Sequence, residues 1–567
     1  LIEEESRFLQ AAQEPSWCIE VQGFDPSREA DLESWFTVGN GRVGIRGSLE
    51  EARPESSPAF FVAGVFGRAR AEIWSLEPLP GPELTRLVFS VDHELLELDG
   101  EIVDQRRVLD LQRGILFRTW RQRLGSDREL AFSSARFASL ADRALVVLQA
   151  EARIDGRSVS LAGTIPVPPT VGPVEAEETS RDGDRVTGKI RGRDGGAIRF
   201  DVSTRESEGE LERIAEIVPI DRDGVPAEKA ELDLAGAQSL GAEALRARHE
   251  AAWRERWSDS DVVVEGDPVA QRGLRFALYH LISAGDPESD RASIGARGLT
   301  GAGYKGHVFW DTDVFMVPFF IYTHPATARA LLAYRYRTLP AARVRAESLG
   351  YKGALFAWES ADTGEDCTPP EIPGPGGTMI PVFTGEQEVH IAADVAWAVW
   401  EYWCATGDED FLVDMGAEMI LETARFWASR VRQGSDGHFH IEKVVGPDEY
   451  HEDVNDNAFT NLMARWNLER GLEMEEFLRN RHASEWARLS SVVGIEEDEL
   501  GRWQSAAEGL VDQFDPQTRL YEEFSGFFGL DALPVADAAP RPYSGEEVFG
   551  WKQLRRAQVV KQADVVM

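Results

Sequence analysis

Two hydrophobic rhythms divide the chain near residue 240. Before that point, short runs alternate apolar and polar positions: "LTRLVFSVDHELLELDG" (84–100), "ILFRTWRQRL" (115–124), "RALVVLQAEARI" (143–154) and "SVSLAGTI" (158–165). Asp-Gly, Arg-Gly and Pro clusters separate them. Alternation with period two sends successive side chains to opposite faces, and turns at this spacing predict antiparallel strands in a large β-sandwich. The stretch "GAEALRARHEAAWRERW" (241–257) is charged and rich in helix formers, and it predicts a helical linker. Beyond it the period changes to that of helices, which are expected near 267–285, 311–322, 326–349, 388–405, 409–432, 457–480, 483–511 and 547–567. The helix at 388–405, "EVHIAADVAWAVWEYWCA", is apolar nearly all round and is expected to be packed on every side. "AEMILETARFWASRV" (417–431) is more amphipathic and is expected to lie outside it.

Inner and outer helices in alternation predict a toroid of helix pairs, an (α/α)6 barrel. The fold class expected is therefore multidomain α+β: an N-terminal β-sandwich over 1–240, a helical linker over 241–266, and an (α/α)6 barrel catalytic domain over 267–567. The helices legible are too few to close such a barrel, and "VVKQADVVM" (559–567) ends within an apolar segment. The barrel is thus expected to be incomplete at its C-terminal end. The first residue is Leu1, so a trimmed N-terminal segment is also an expectation.

Composition narrows the function classes. A net charge of −38 argues against nucleic acid and anionic membrane as partners, since both require positive potential. Cys18, Cys367 and Cys404 are far apart and form no C-x-x-C, so neither a disulfide framework nor a zinc ribbon is indicated. The opening "LIEEESRFLQ" has no basic or apolar signal region, and the run 314–322 is too short to span a bilayer. A cytoplasmic enzyme is the expectation.

The chemistry concentrates in "VVGPDEYHEDVNDNAFTN" (444–461), where Asp448, Glu449, Glu452, Asp453 and Asp456 crowd around His451. Gly446-Pro447 forces a turn, and Asp456 is placed to cap a helix whose apolar face includes Phe459, Met463 and Trp466. Asp453, Asn455 and Asn457 imitate the start of a calcium loop, but Ala458 stands where glycine is required and Ala464 where a closing glutamate is required. Zinc needs a tight ligand set, and His451 has no histidine four residues on. No metal is expected. The alternatives left are a solvated acidic loop and a catalytic carboxylate.

Three other segments favour catalysis. "YKGHVFWDTDVFMVPFF" (304–320) sets Trp310 beside Asp311, "GALFAWESADTGED" (353–366) sets Trp358 beside Glu359, and "FTGEQEVH" (383–390) supplies Thr384 and Glu386. Taken singly, each Trp reads first as core packing. Adjacent Trp–carboxylate pairs in loops of one helical domain fit a sugar site, because an indole face covers the C–H face of a pyranose while the carboxylate accepts from its hydroxyls. Glycosidic cleavage needs a carboxylic acid to protonate the leaving oxygen, and nearby acids such as Asp448 and Glu452 would help keep one carboxyl protonated. On chemistry alone, Asp448 and Glu449 are both candidates.

The strings "TVGNGRVGIRG" (37–47), "SIGARGLTGAGYKGHVFWDT" (293–312), "YRYRTLPAARVRAESLGYKGALFAWESADTGED" (334–366), "GPDEYHEDVNDNAFTN" (446–461) and "VVKQADVVM" (559–567) run along nearly the whole chain. Together they resemble glycoside hydrolase family 65, the inverting α-glucoside phosphorylases and their hydrolytic relatives. The resemblance implies a β-sandwich, a linker, an (α/α)6 barrel and a small C-terminal β-domain, the last not present in this chain. It implies that Glu449 is the general acid, that Trp310, Asp311, Lys561 and Gln562 bind the glucosyl ring, and that Trp358 and Glu359 lie on the acceptor side. The wording around Trp358 is similar to the kojibiose, trehalose and glucosylglycerol phosphorylase branch. Inorganic phosphate would be the co-substrate, with no other cofactor, and a homodimer is common in the family.

Three functions compete on this basis. The first is inverting phosphorolysis of an α-glucosidic disaccharide to β-glucose 1-phosphate. The second is inverting hydrolysis by a trehalase or kojibiose hydrolase, with a second carboxylate expected beyond residue 567. The third is a sugar-binding protein with a dead site, which the joint presence of Glu449, Trp310–Asp311 and Lys561–Gln562 disfavours. Linkage is expected to depend on acceptor-side loops, with Thr384 and the loop 369–381 as contributors.

Overall fold

A computed structural model describes residues 14–567 apart from 52, 70–75, 93, 99, 126–127, 208, 227–231, 374–377 and 534–544. The N-terminal decapeptide and the centre of the 369–381 loop lie outside the described residues. Two compact units are present, Leu1–His307 and Val308–Met567.

The first unit is built on one long antiparallel sheet. Its strands run, in spatial order, Cys18–Gln22, Ile102–Asp110, Ile115–Leu124, Arg128–Ala138, Leu145–Ile154, Glu210–Ile220, Ala197–Ser207, Arg185–Gly192 and Val174–Asp182. The register shows why the alternation was legible. Ile115, Phe117, Ala135, Phe137, Leu145 and Val147 face one way, into a core completed by Leu234, Ala237 and Leu245. Trp120, Leu130, Phe132, Leu148 and Ala150 face the other way, against Phe89 and Leu161 of a separate three-stranded sheet. A four-stranded sheet formed by Val38–Gly39, Val43–Ile45, Phe60–Arg68 and Leu76–Pro80 completes the sandwich-like arrangement. The helix Ala242–Ser260 is fastened to the unit by buried Trp253 and Trp257 and by His249, whose Nδ1 accepts from Leu140 N at 3.0 Å.

The second unit is helical. Ile391–Thr406 is buried over 391–400 except at the partly buried Trp397, and it touches the helices Val317–Thr323, Pro325–Ser348, Ala417–Arg430 and Ala458–Arg481. That is the environment its uninterrupted apolar sequence requires. The amphipathic helix Ala417–Arg430 was expected to lie outside, but it too is buried along most of its length. Its polar residues are consumed between helices: Arg343 bonds to both Glu418 and Glu422 (2.6 Å for Glu422), and Arg425 bonds to Glu499 at 2.8 Å. Polar periodicity marked ion-paired helix contacts here, not solvent.

Three further expectations are corrected. The helix expected over 483–511 is two, Ala483–Val493 and Glu497–Gly509, split at Gly494 in the left-handed conformation. The helix expected over 547–567 is absent; short turns Gly545–Phe549, Trp551–Leu554 and Asp564–Val566 stand in its place. The cap of Ala458–Arg481 is Asn457, whose side chain accepts from Thr460 N at 3.0 Å, not Asp456. Asp456 instead bonds His440 Nδ1 (2.8 Å) and Ile441 N (3.1 Å).

Candidate active site

The two Trp–carboxylate segments meet because their backbones pair. Val308 and Ser360 exchange backbone hydrogen bonds of 2.9 and 3.0 Å, so the residues just beyond and just before them are brought side by side. Trp310 and Trp358 then stack, ring centroids 6.3 Å apart at 25°. A buried clamp holds this junction. Arg335 donates to Phe309 O (3.0 Å) and to Asp313, and Tyr334 donates to Ala361 O (2.6 Å). A π-turn over Thr312–Met316 follows Asp311 directly, an irregularity common at functional sites.

His390 forms the floor. Its ring sits edge-on to Trp310 (4.9 Å), Trp358 (5.4 Å) and Phe459 (5.3 Å), and its Nδ1 bonds Asp394 Oδ2 at 2.6 Å. Two residues earlier, Glu388 is 1% exposed, and neither of its carboxylate oxygens has a hydrogen-bond partner among the described residues.

The acidic loop closes through Val444 and Val454, whose backbones bond mutually at 2.9 and 3.0 Å. Gly446 passes so close to the helix cap that a Cβ there would collide with Asn457 Nδ2 and Asp564 Oδ2. Asp448 is 2% exposed and fully engaged: it accepts from Lys561 N (2.7 Å) and pairs with His451 Nδ1 (2.5 Å), while its own N–H donates to Asp564 (2.6 Å). His451 continues to Ala557 O at 3.0 Å. Glu452 bonds Arg555. Asp448 and Glu452 are therefore struts joining the loop to 555–564, and the charge of Asp448 also raises the carboxyls of Asp564 and Glu523.

Glu449 is different. It is half-buried, and its Oε2 lies 2.8 Å from Lys561 Nζ. Burial lifts the Asp311 carboxyl above its ordinary range, and the charge of Glu449 lifts it further. Burial also pushes Glu388 well above the usual carboxylate range, with Glu449 adding to the push and Lys561 opposing it. Burial works against the charge of Lys561, but the ion pair with Glu449 and the field of Glu388 hold its ammonium above the ordinary value. Asp564 is pushed up to about 6, chiefly by burial, and Glu523 to about 7, by burial and then by Asp564 and Asp448. Glu449 and Glu388 thus both act on one ammonium, while burial and like charge favour protons on Asp311, Glu388, Asp564 and Glu523.

Of the residues singled out in the sequence, Trp310, Trp358, Asp311, Glu449 and Lys561 form this constellation. Gln562 is half-buried with its Oε1 buried and unpartnered among the described residues. Glu359 is half-buried beside Trp358, its carbonyl accepting from Cys367 N at 2.9 Å. Thr384 opens a short helix, Thr384–Gln387, on which Glu386 is exposed. Glu388, His390 and Arg335 escaped notice. A signal was available for the first two, since polar residues at the entrance of an all-round apolar helix are necessarily buried. Among the described residues, no group of three His, Cys, Asp or Glu is arranged to hold a metal ion. Also among them, no helix is long and apolar enough to cross a membrane.

Two family profiles match the chain: the glycosyl hydrolase family 65 N-terminal domain over residues 19–212, and the family 65 central catalytic domain over 275–567. A kojibiose phosphorylase of Halothermothrix orenii is 34% identical, over 97% of this chain and 77% of its own length. A nigerose phosphorylase of Lachnoclostridium phytofermentans is 30% identical, over 97% of this chain and 81% of its own length. The solved structure of a human-microbiome protein superposes with a TM-score of 0.83 over 97% of this chain and 77% of that chain; at 19% identity it shares the fold.

Proposed function

This chain belongs to glycoside hydrolase family 65, and on that footing we propose that it performs inverting phosphorolysis of an α-glucosidic disaccharide of the kojibiose or trehalose type. It is an enzyme of the disaccharide phosphorylase type, like the relatives it matches. The observation that carries the assignment of Glu449 as general acid is its contrast with Asp448. Every polar group of Asp448 is spent on bracing the loop, whereas Glu449 has a half-exposed carboxylate whose partner is the mobile end of a lysine.

In this reading Trp310 and Trp358 provide the apolar wall for the sugar, and Asp311, Lys561 and Gln562 bind glucosyl hydroxyls. Glu359 reaches toward the acceptor. Lys561 has two partners in this reading: Glu449, whose Oε2 lies 2.8 Å away, and the glucosyl ring, to which it turns when substrate enters. Glu449, as general acid, gives a proton to the departing oxygen as a phosphate oxygen bonds to the anomeric carbon from the opposite face. The products are β-glucose 1-phosphate and the free acceptor sugar. No protein base is needed, because the nucleophile is already an anion. The helical unit is taken as part of an (α/α)6 barrel, within a domain scheme of 1–240, 241–266 and 267–567, acting in the cytoplasm where phosphate is plentiful.

The test is to incubate the full chain with kojibiose, trehalose, nigerose and maltose, with and without phosphate. Glucose 1-phosphate formed only with phosphate is expected. Glucose released at the same rate without phosphate would replace phosphorolysis with hydrolysis.

A further inference from the structure

We propose that Glu388 is a substrate-contacting residue that, with His390 Nε2, grips one hydroxyl of the glucosyl unit. The inference rests on the phosphorolysis reading above and adds a residue that the Trp–carboxylate and Lys–Gln segments do not include.

Three observations carry it. First, Glu388 is 1% exposed, yet both its oxygens lack hydrogen-bond partners among the described residues. A buried carboxyl that braces the fold would be bonded to something, as Asp448 and Asp394 are; this one braces nothing. Second, His390 Nε2 is likewise buried and unpartnered, and it lies 3.9 Å from Glu388 Oε2. That separation is too long for a direct bond and suits one oxygen atom held between the two. Third, the direction is toward sugar. The His390 ring is wedged under Trp310 and Trp358, with its Nδ1 fixed on Asp394, so its Nε2 is held in a set orientation. The charges of Glu449, Lys561, Asp311 and Asp564 all act on Glu388, so it lies within reach of the proposed reacting groups.

The chemistry is matched as well. Burial first, and then the carboxylates among those neighbours, hold Glu388 well above the ordinary carboxylate range. A neutral carboxyl has one O–H donor and an acceptor oxygen, the complement of a sugar hydroxyl that must both accept and donate. A buried polar pair of this kind rejects a ligand lacking the hydroxyl, because both protein groups are then left unpaired.

The experiment uses the full chain in the synthetic direction, with β-glucose 1-phosphate and its 2-, 3-, 4- and 6-deoxy analogues as donors. For the wild type, one of the four deoxy positions is expected to lose about 100-fold or more in kcat/KM. In Glu388→Gln and Glu388→Ala the same analogue is expected to lose less than about fivefold relative to the variant's own rate on the parent donor, since the partner is already gone. Two variants guard against one failing to fold. Wild type active, with all four deoxy penalties unchanged in whichever variant folds, overturns the contact and leaves phosphorolysis standing. Wild type inactive on every donor and disaccharide overturns the phosphorolysis reading, and this inference with it.

Discussion

Two of the places where the molecule buries glutamates are treated in opposite ways. In the β unit, Glu50 and Glu51 lie almost fully buried within the sheets. Glu51 takes a two-pronged grip from Arg118 (2.6 and 2.7 Å) and a bond from Arg53 (2.9 Å). Glu50 bonds Arg118 (2.8 Å), Ser134 (2.7 Å) and Arg136 (3.2 Å). All four oxygens are satisfied. Burial alone would raise the Glu51 carboxyl, but Arg118 and then Arg53 hold it down at about 2. In the helical unit, Glu388 is as deeply buried and has no bonded partner among the described residues. Burial cannot by itself separate structural from functional carboxylates; what separates them is whether the protein has already supplied the partner. A satisfied carboxyl holds the fold, and an open one waits for a ligand.

Removing a partner should break the first arrangement. Arg118→Met strands two buried carboxylates and is expected to cost about 3–5 kcal/mol of stability, read as a fall in the urea midpoint. Gly446→Ala forces a Cβ into the Asn457–Asp564 contact and is expected to cost about 1–3 kcal/mol, with lowered kcat, since the loop carrying Glu449 must shift. Glu388→Gln should do neither. The neutral amide removes an unfavourable buried acid, so the urea midpoint should hold or rise while kcat/KM drops, the trade expected where a group serves function and not folding.

The pH dependence of stability sharpens the same contrast with smaller effects. Glu51 sits below its ordinary 4.5 in the folded chain, so its contribution is present above pH 4.5 and is lost as pH falls toward about 2. Glu388 sits above 4.5, so the unfolded chain releases its proton first, and stability is lost as pH rises from 4.5 through the folded value. Urea titrations of wild type and Glu388→Gln across that upper range should show a flatter slope for the variant.

Much of the β unit was legible because both faces of its long sheet are covered. Alternation there shows as odd and even positions belonging to two cores, with Phe117 and Phe137 on one side and Trp120 and Phe132 on the other. The proposed general acid was singled out only by a family pattern, since Asp448 and Glu449 are equivalent until one sees which is consumed in bracing. The burial of Ala417–Arg430 was not legible, because ion pairs such as Arg425–Glu499 join residues far apart in sequence and make a buried face look wet. The segment 547–567 carried a helical rhythm that backbone tethers override: Lys561 N on Asp448, and Gln558 N on Asp531 O at 2.8 Å. Glu388 and His390 were not legible because the adjoining Thr384 and Glu386 are the more exposed polar residues, on a helix that ends just before the chain becomes buried at Glu388.

If Glu449 delivers the proton to the leaving oxygen, a leaving group that needs no proton should escape the loss of Glu449. Wild type and Glu449→Gln should be compared, with phosphate, on the disaccharide that the wild type prefers and on α-glucosyl fluoride. The variant is expected to lose about a thousandfold in kcat on the disaccharide while staying within about tenfold of wild type on the fluoride. An equal loss on both substrates would contradict it and would make Glu449 a binding residue.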